Sequence, residues 1–153
     1  MDQGTLFEQT TFFEQASLVV QIVGFALVTV SLLLVYRQIQ SRVFCEYTKR
    51  YSDIEFEFFD EFYDIRRAAS LSEIEPEQRR RARLIVSKYI SLFSEEYHLQ
   101  TSWYLAKKTW TVWDTGIQEF CKVPVVREMV PDIAEGYQYF PEFRDYLLSV
   151  SDA

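Results

Sequence analysis

Six arginines are the first candidates for chemistry: Arg66 and Arg67, then Arg79, Arg80, Arg81 and Arg83. A guanidinium is planar, permanently charged, and meets phosphate or carboxylate oxygens two at a time. Paired as an antiparallel hairpin turning near residue 72, two helices would gather all six at one end. The ligand expected there is a soluble anion, for instance a phosphate-bearing nucleotide. The competing use is ion pairing. In that hairpin Asp64 falls opposite Arg80, and Asp60 lies about a turn from Arg83, giving surface pairs worth little each. Glu95 and His98 form Glu-x-x-His, the spacing at which a helix presents two metal ligands on one side. Di-metal carboxylate bundles use that motif twice, and this chain has one histidine. Ordinary capping or ion-pair contacts of Glu95, Glu96 and His98 near the end of that helix are the alternative, and no metal or other cofactor is assigned. No nucleophile, triad or phosphate-cradling glycine loop accompanies the histidine, so no catalytic residue is assigned and the chain is expected not to be an enzyme. Trp103, Trp110 and Trp113, with Tyr97 and Tyr104, could line an aromatic pocket. At helical spacing such rings are more often core, and core is the default expectation.

The elements that must position these residues begin with an apolar run. Residues 16–36 contain no charge and no proline. As a helix these 21 residues reach about 31 Å, the thickness of a bilayer's hydrocarbon core. The residues before the run are acidic and no small-residue cleavage site comes after it, which favours an uncleaved anchor over a signal peptide. All 16 Lys and Arg lie after it, with Arg37, Arg42, Lys49 and Arg50 close by, whereas Asp2, Glu8 and Glu14 precede it. The positive-inside rule then predicts a single-pass protein of the inner membrane, N-terminus outside and C-terminal part cytoplasmic. Residues 1–15 form a short external segment, with Phe7, Phe12 and Phe13 at headgroup level. Cys45 and Cys121 fall in a reducing compartment, where a disulfide is not expected.

Within the span Ser17, Gln21, Gly24, Val28 and Ser31 succeed one another at 4, 3, 4 and 3 residues, one stripe of a helix. Small residues let helices approach closely, and a glutamine in lipid favours a partner across an interface. Gln21, Gly24 and Ser31 are therefore the expected contact of a homo-oligomer. The alternative is a lone span whose Gln21 reaches up toward water.

Residues 37–153 read as one helical domain. Phe44, Tyr47, Tyr51, Ile54, Phe58, Phe62 and Ile65 recur at 3 and 4 residues. That stripe predicts a continuation of the transmembrane helix as a stalk to Ala69, its tip roughly 50 Å from the membrane. The first break falls at 70–76, where Ser72 and Glu75 could form a capping box or Pro76 open a helix at its first position. Further helices are expected over 76–100, from Trp103 to about Lys122, from Pro124 to before Pro131, and from Pro141 through Phe143, Tyr146, Leu147 and Val150. Thirteen Phe, ten Tyr and three Trp give so small a bundle enough ring area for a core, while four glycines and four prolines argue against sheet or disorder. The fold class is all-α. After the span the formal charge is −4, from 16 basic and 20 acidic residues. That balance argues against binding duplex DNA or RNA, and a headgroup role for arginines far beyond a Debye length from lipid is excluded.

Tyr89, the run Phe93-Ser94-Glu95-Glu96-Tyr97-His98-Leu99, the pair Trp110 and Trp113, Gly116-Ile117 and Pro124 make a recognisable cadence. In these residues the chain resembles a loose group of uncharacterised small bacterial proteins with one N-terminal span and a cytoplasmic helical domain. The likeness covers the span and about two-thirds of the cytoplasmic part. It departs at Trp103-Tyr104-Leu105-Ala106-Lys107-Lys108, where many members carry a Gly-Leu or Gly-Ile turn. It implies the architecture and transfers no catalytic residue. By layout and size the chain is also similar to small membrane effectors of bacterial antiviral systems, an analogy without a shared motif. The expected function is a non-enzymatic, membrane-anchored interaction or regulatory protein. The alternative is an oligomeric transmembrane effector of a CRISPR or cyclic-nucleotide antiviral system, gated by an anionic nucleotide at the arginine cluster. The protein partner, or the nucleotide ligand, is left unidentified.

Overall fold

Helical periodicity runs through nearly the whole sequence, and helices are what form. The computed structural model describes residues 3–102 and 104–152, with side chains from Ala16 onward. Trp103 and the rings of Phe7, Phe12 and Phe13 lie outside the described residues. Among those described are six α-helices and no strand: α1 (Gln3–Glu57), α2 (Phe59–Arg67), α3 (Pro76–Thr101), α4 (Lys107–Cys121), α5 (Pro124–Ala134) and α6 (Pro141–Ser151). Short 3-10 turns occupy Leu71–Glu73 and Glu135–Tyr137. The chain divides into two units, Met1–Arg42 and Val43–Ala153, with the boundary inside α1.

In the first unit every side chain from Ala16 to Arg42 is exposed except that of Gln40, which is half-buried. The helix is long and apolar enough to cross a membrane. Its polar side chains find partners within the helix. Thr29 Oγ1 donates to the Phe25 carbonyl at 2.9 Å, Ser31 Oγ to the Leu27 carbonyl at 2.8 Å, and Gln21 Nε2 to Ser17 Oγ at 3.4 Å. Such back-bonding lets hydroxyls sit in an apolar helix without an unmatched donor.

The second unit holds the core. Ile65, Ile85, Val86, Ile90, Ile117, Val125, Val126, Val130, Phe143 and Leu147 are each at most 1 % exposed. Residues 44–65 are not a free stalk. Tyr47 is buried, and Tyr51, Ile54, Phe58 and Phe62 pack against the core from α1 and α2. The helix also breaks at Phe58 (φ −126°, ψ 36°). No glycine or proline stands there, so the break is held by packing. Lys88 of α3 bonds Glu57 at 2.8 Å and lies 4.5 Å over the Phe58 ring.

Pro76 opens α3 at its first position, and no side chain caps that helix. Long side chains stitch the turn before it instead. Arg79 donates to the Ile74 carbonyl at 2.7 Å and to the Ser72 carbonyl at 3.0 Å. Glu73 accepts from the Ala69 amide at 2.8 Å, and Glu128 of α5 from the Leu71 amide at 3.0 Å. Arg79→Ala is expected to cost about 1–2 kcal/mol in chemical denaturation, since two carbonyls lose a charged donor. Arg80→Ala, on the exposed face of the same helix, should stay within about 0.5 kcal/mol of wild type. Contrary to expectation α5 continues past Pro131. Arg127 and Pro131 are both exposed, so the missing hydrogen bond falls on the solvent face. Val125, Val126, Met129, Val130, Ile133 and Ala134 hold the other face in the core.

Candidate functional site

An open groove of about 540 Å³ lies between the C-terminal part of α1, α2, α3 and α4. Tyr51 and Glu55 reach it from α1, Phe62 and Arg66 from α2, Tyr89 and Phe93 from α3, and Val112, Trp113, Gly116, Glu119 and Phe120 from α4. Its walls are rings because the 3 and 4 spacings of four helices turn their aromatic residues to one centre. The planes of Phe62, Tyr89 and Phe120 lie within 16° of one another, with centroids 4.6 to 6.4 Å apart. At the edge Tyr89 Oη donates to Glu55 Oε1 at 3.4 Å. Burial, with Glu55 adding to it, pushes the Tyr89 hydroxyl well above its ordinary pKa, so it remains a donor. The Arg66 guanidinium lies 4.6 Å over the Phe62 ring.

Glu96 lies fully buried on the same face of α3, three residues beyond Phe93. Neither carboxyl oxygen makes a hydrogen bond. The Tyr51 hydroxyl is near enough to favour the charged form, but it misses the geometry of a bond. Burial wins and, with the neighbouring Glu95 charge, pushes the carboxyl up to about 8. Nothing in the candidate chemistry of the sequence singles this residue out. Yet Ala82, Val86, Tyr89, Phe93 and Glu96 are spaced 4, 3, 4 and 3, so the stripe itself places Glu96 in the core.

Five of the six arginines are brought to different partners, and Arg80 stands exposed on α3. Arg81 bonds Glu61 at 2.8 Å, Arg83 pairs with Asp132, and Arg79 holds the turn carbonyls. Arg67 lies 5.1 Å over the Tyr63 ring and donates to its hydroxyl at 3.1 Å. Arg66 belongs to the aromatic groove. Arg80, Arg81 and Arg83 also line a second open groove of about 600 Å³ along α3. Acidic and basic strips do face each other across the hairpin, in the register Glu61–Arg81 and Glu57–Lys88 rather than Asp64–Arg80.

Glu95 accepts from Tyr47 Oη at 3.0 Å and Arg50 Nη1 at 2.8 Å. His98 stands edge-on to Phe140 with ring centroids 6.2 Å apart. Among the described residues no three His, Cys, Asp or Glu gather to hold a metal ion. Trp113 is buried, stacked on Phe44 and tilted against Tyr47, and Trp110 meets Tyr97 edge-on. Cys45 is an exposed thiol, while burial raises Cys121 to about 12 and leaves it unreactive. Of the proposed oligomer contact, Gln21 and Ser31 are bonded within α1, and a Cβ added at Gly24 would meet nothing within 4 Å. Compared with family models, curated proteins and solved structures, the chain finds no match in any of the three.

Proposed function

We propose that the chain is a non-enzymatic interaction protein anchored in a bacterial inner membrane, with the Val43–Ala153 bundle holding a partner at the cytoplasmic face. The observation that carries the anchor in this reading is the exposure of Leu18, Val19, Val20, Ile22, Val23, Phe25, Leu27 and the apolar residues beyond, on every side of α1. A soluble monomer leaves no such surface uncovered, whereas hydrocarbon is its natural solvent. The excess of Lys and Arg after the helix supports the orientation. The likeness to small single-span bacterial proteins supports the same layout.

Fractionation of cells expressing the full chain tests the anchor. It should stay with membranes through an alkaline wash at its full mass, and a soluble or shortened product would sink the reading. Cys45 reports orientation, because it is the exposed thiol. A membrane-impermeant maleimide should reach it only after permeabilisation. For the partner, proximity labelling from a C-terminal tag should mark neighbours that the same tag on residues 1–42 alone does not; identical sets would remove the interaction role.

A second reading, an oligomeric antiviral effector gated by an anionic nucleotide, draws on the groove shared by Arg80, Arg81 and Arg83. A nucleotide there would have to displace Glu61 and Asp132 from two of the three. Under that reading leucine at Gln21 and Gly24 leaves membrane insertion intact and changes oligomer size in native mass measurement. An unchanged size would leave α1 a tether alone.

A further inference from the structure

We propose that the end of the bundle where Val43 and Tyr47 meet the start of α4 docks on an anionic phospholipid surface through Lys107 and Lys108. Tyr47 and Leu105 share one buried cluster with Leu92 and Trp113, and Val43 packs against it. Trp113 stacks on Phe44, and seven residues later Phe120 stacks on Phe62. Helix α4 therefore runs in the direction of the aromatic stripe of α1 and α2, starting at the Val43 end. Lys107 and Lys108 precede Trp113 by six and five residues, which carries them about 8 Å further toward that end. Both are exposed. Tyr104, in the turn before them, is 65 % exposed, and such rings settle at headgroup level.

Charge commits this end to an anionic surface. Of the five lysines in the chain, Lys88 bonds Glu57 and Lys122 bonds Glu119, each at 2.8 Å. Lys49, Lys107 and Lys108 are exposed, and among the described residues no carboxylate lies within ion-pair distance of them. The stretches 43–52 and 101–113, which meet there, hold four basic residues and one acidic. Glu46 and Glu95 both bond Arg50, and Glu96 is buried. Asp114 is turned to Tyr146 of α6, and Glu142 lies beside Tyr97. The far part of the stripe is the reverse, with six acidic residues and no basic one from Asp53 to Asp64. Val43 follows Tyr36, where the apolar run ends, by seven residues. That is about 10 Å of helix, and at most about 25 Å of extended chain. The docking rests on the anchor proposed above, because the tether keeps the lysine end and not the acidic one near lipid. It is also why lipid is assigned rather than an acidic protein, since the field of a charged leaflet fades within a Debye length.

The test uses the full chain in nanodiscs of phosphatidylcholine, alone or mixed with phosphatidylglycerol. Brief labelling with a water-soluble acetylating ester, read by peptide mass, reports each amine. Lys107 and Lys108 are expected to label about fivefold more slowly in the anionic discs at low salt, and equally in both discs at high salt. Lys88 and Lys122 should label alike in both. The double variant Lys107→Gln with Lys108→Gln should melt with wild type in phosphatidylcholine discs, because both positions are exposed. In anionic discs wild type should gain melting temperature by binding, and the double variant should not. Equal labelling in the two discs, or a gain kept by the double variant, would overturn the docking while leaving the anchor intact. Equal labelling in the discs with protection only on adding polyglutamate would give the lysines to an acidic protein instead. A chain that enters neither disc would overturn the anchor and the docking together.

Discussion

Glu96→Gln is expected to make the protein more stable at pH 8 while leaving its stability near pH 4.5 almost unchanged. The buried carboxyl is raised from its ordinary value near 4.5 to about 8, chiefly by desolvation. A folded-state pKa above the unfolded one means that, between those two values, the native state keeps a proton the unfolded state has lost. Stability therefore falls as pH rises through that window and levels off above about 8. At about 1.4 kcal/mol per pKa unit, the penalty at pH 7 is roughly 3 kcal/mol, a large share of a small domain's stability. The groups around the carboxyl do not reverse the sign. Desolvation outweighs the Tyr51 hydroxyl of α1, which favours the charged form more than Glu95 opposes it, and Arg50 is already bonded to Glu95. Glutamine keeps the shape and polarity of the protonated acid, so it should match wild type at low pH and flatten the profile above it. Urea midpoints measured at half-unit steps from pH 4.5 to 8.5 check this. A wild-type profile as flat as the variant's would mean that Glu96 is not desolvated as described.

Glu96 also marks the boundary between what local pattern carries and what only packing decides. Apolar periodicity is legible wherever it lasts three turns or more, and it places α3, α5 and α6 within a few residues. Sequence and structure part where packing overrules local signals. Pro131 reads as a stop, yet it sits on the solvent face, where one absent hydrogen bond is cheaper than undocking six core side chains. The bend at Phe58 has no breaker to announce it, because contacts with α3 hold it. Helix α4 starts four residues later than its apolar pattern suggests. The Tyr104 amide closes on the Leu99 carbonyl at 3.0 Å and ends α3 without a glycine or proline. The arginine cluster is visible as composition, but the partner of each arginine depends on register, and a small shift exchanges Asp64–Arg80 for Glu61–Arg81. The aromatic groove is harder still. Its rings come from four helices, and every one of them also fits the description of a core residue.

Phe143→Ala is expected to cost about 3–5 kcal/mol, the range for a fully buried ring replaced by a methyl group. Phe143 is 0 % exposed at the centre of the rings that fasten α6. Its centroid lies 5.1 Å from Tyr137, 5.7 Å from both Tyr97 and Phe140, and 6.3 Å from Tyr146. These neighbours are large and rigid, so they do not collapse readily into the space left behind, which places the cost toward the upper end. Tyr146 fixes their positions further by donating to Asp114 Oδ1 at 2.6 Å, tying α6 to α4. Tyr146→Phe should accordingly lose about 1.5–3 kcal/mol, the worth of a hydrogen bond to a charged acceptor. Because Phe143 and Tyr146 touch, the double variant should cost less than the two losses added together. Tyr139→Ala, at 81 % exposure, serves as the control and should stay within about 0.5 kcal/mol. Denaturation of the full chain in nanodiscs measures all four. A loss below about 1 kcal/mol for Phe143→Ala would mean that α6 does not belong to the cooperative core. Full additivity with Tyr146→Phe would mean that the two rings do not share one packing site.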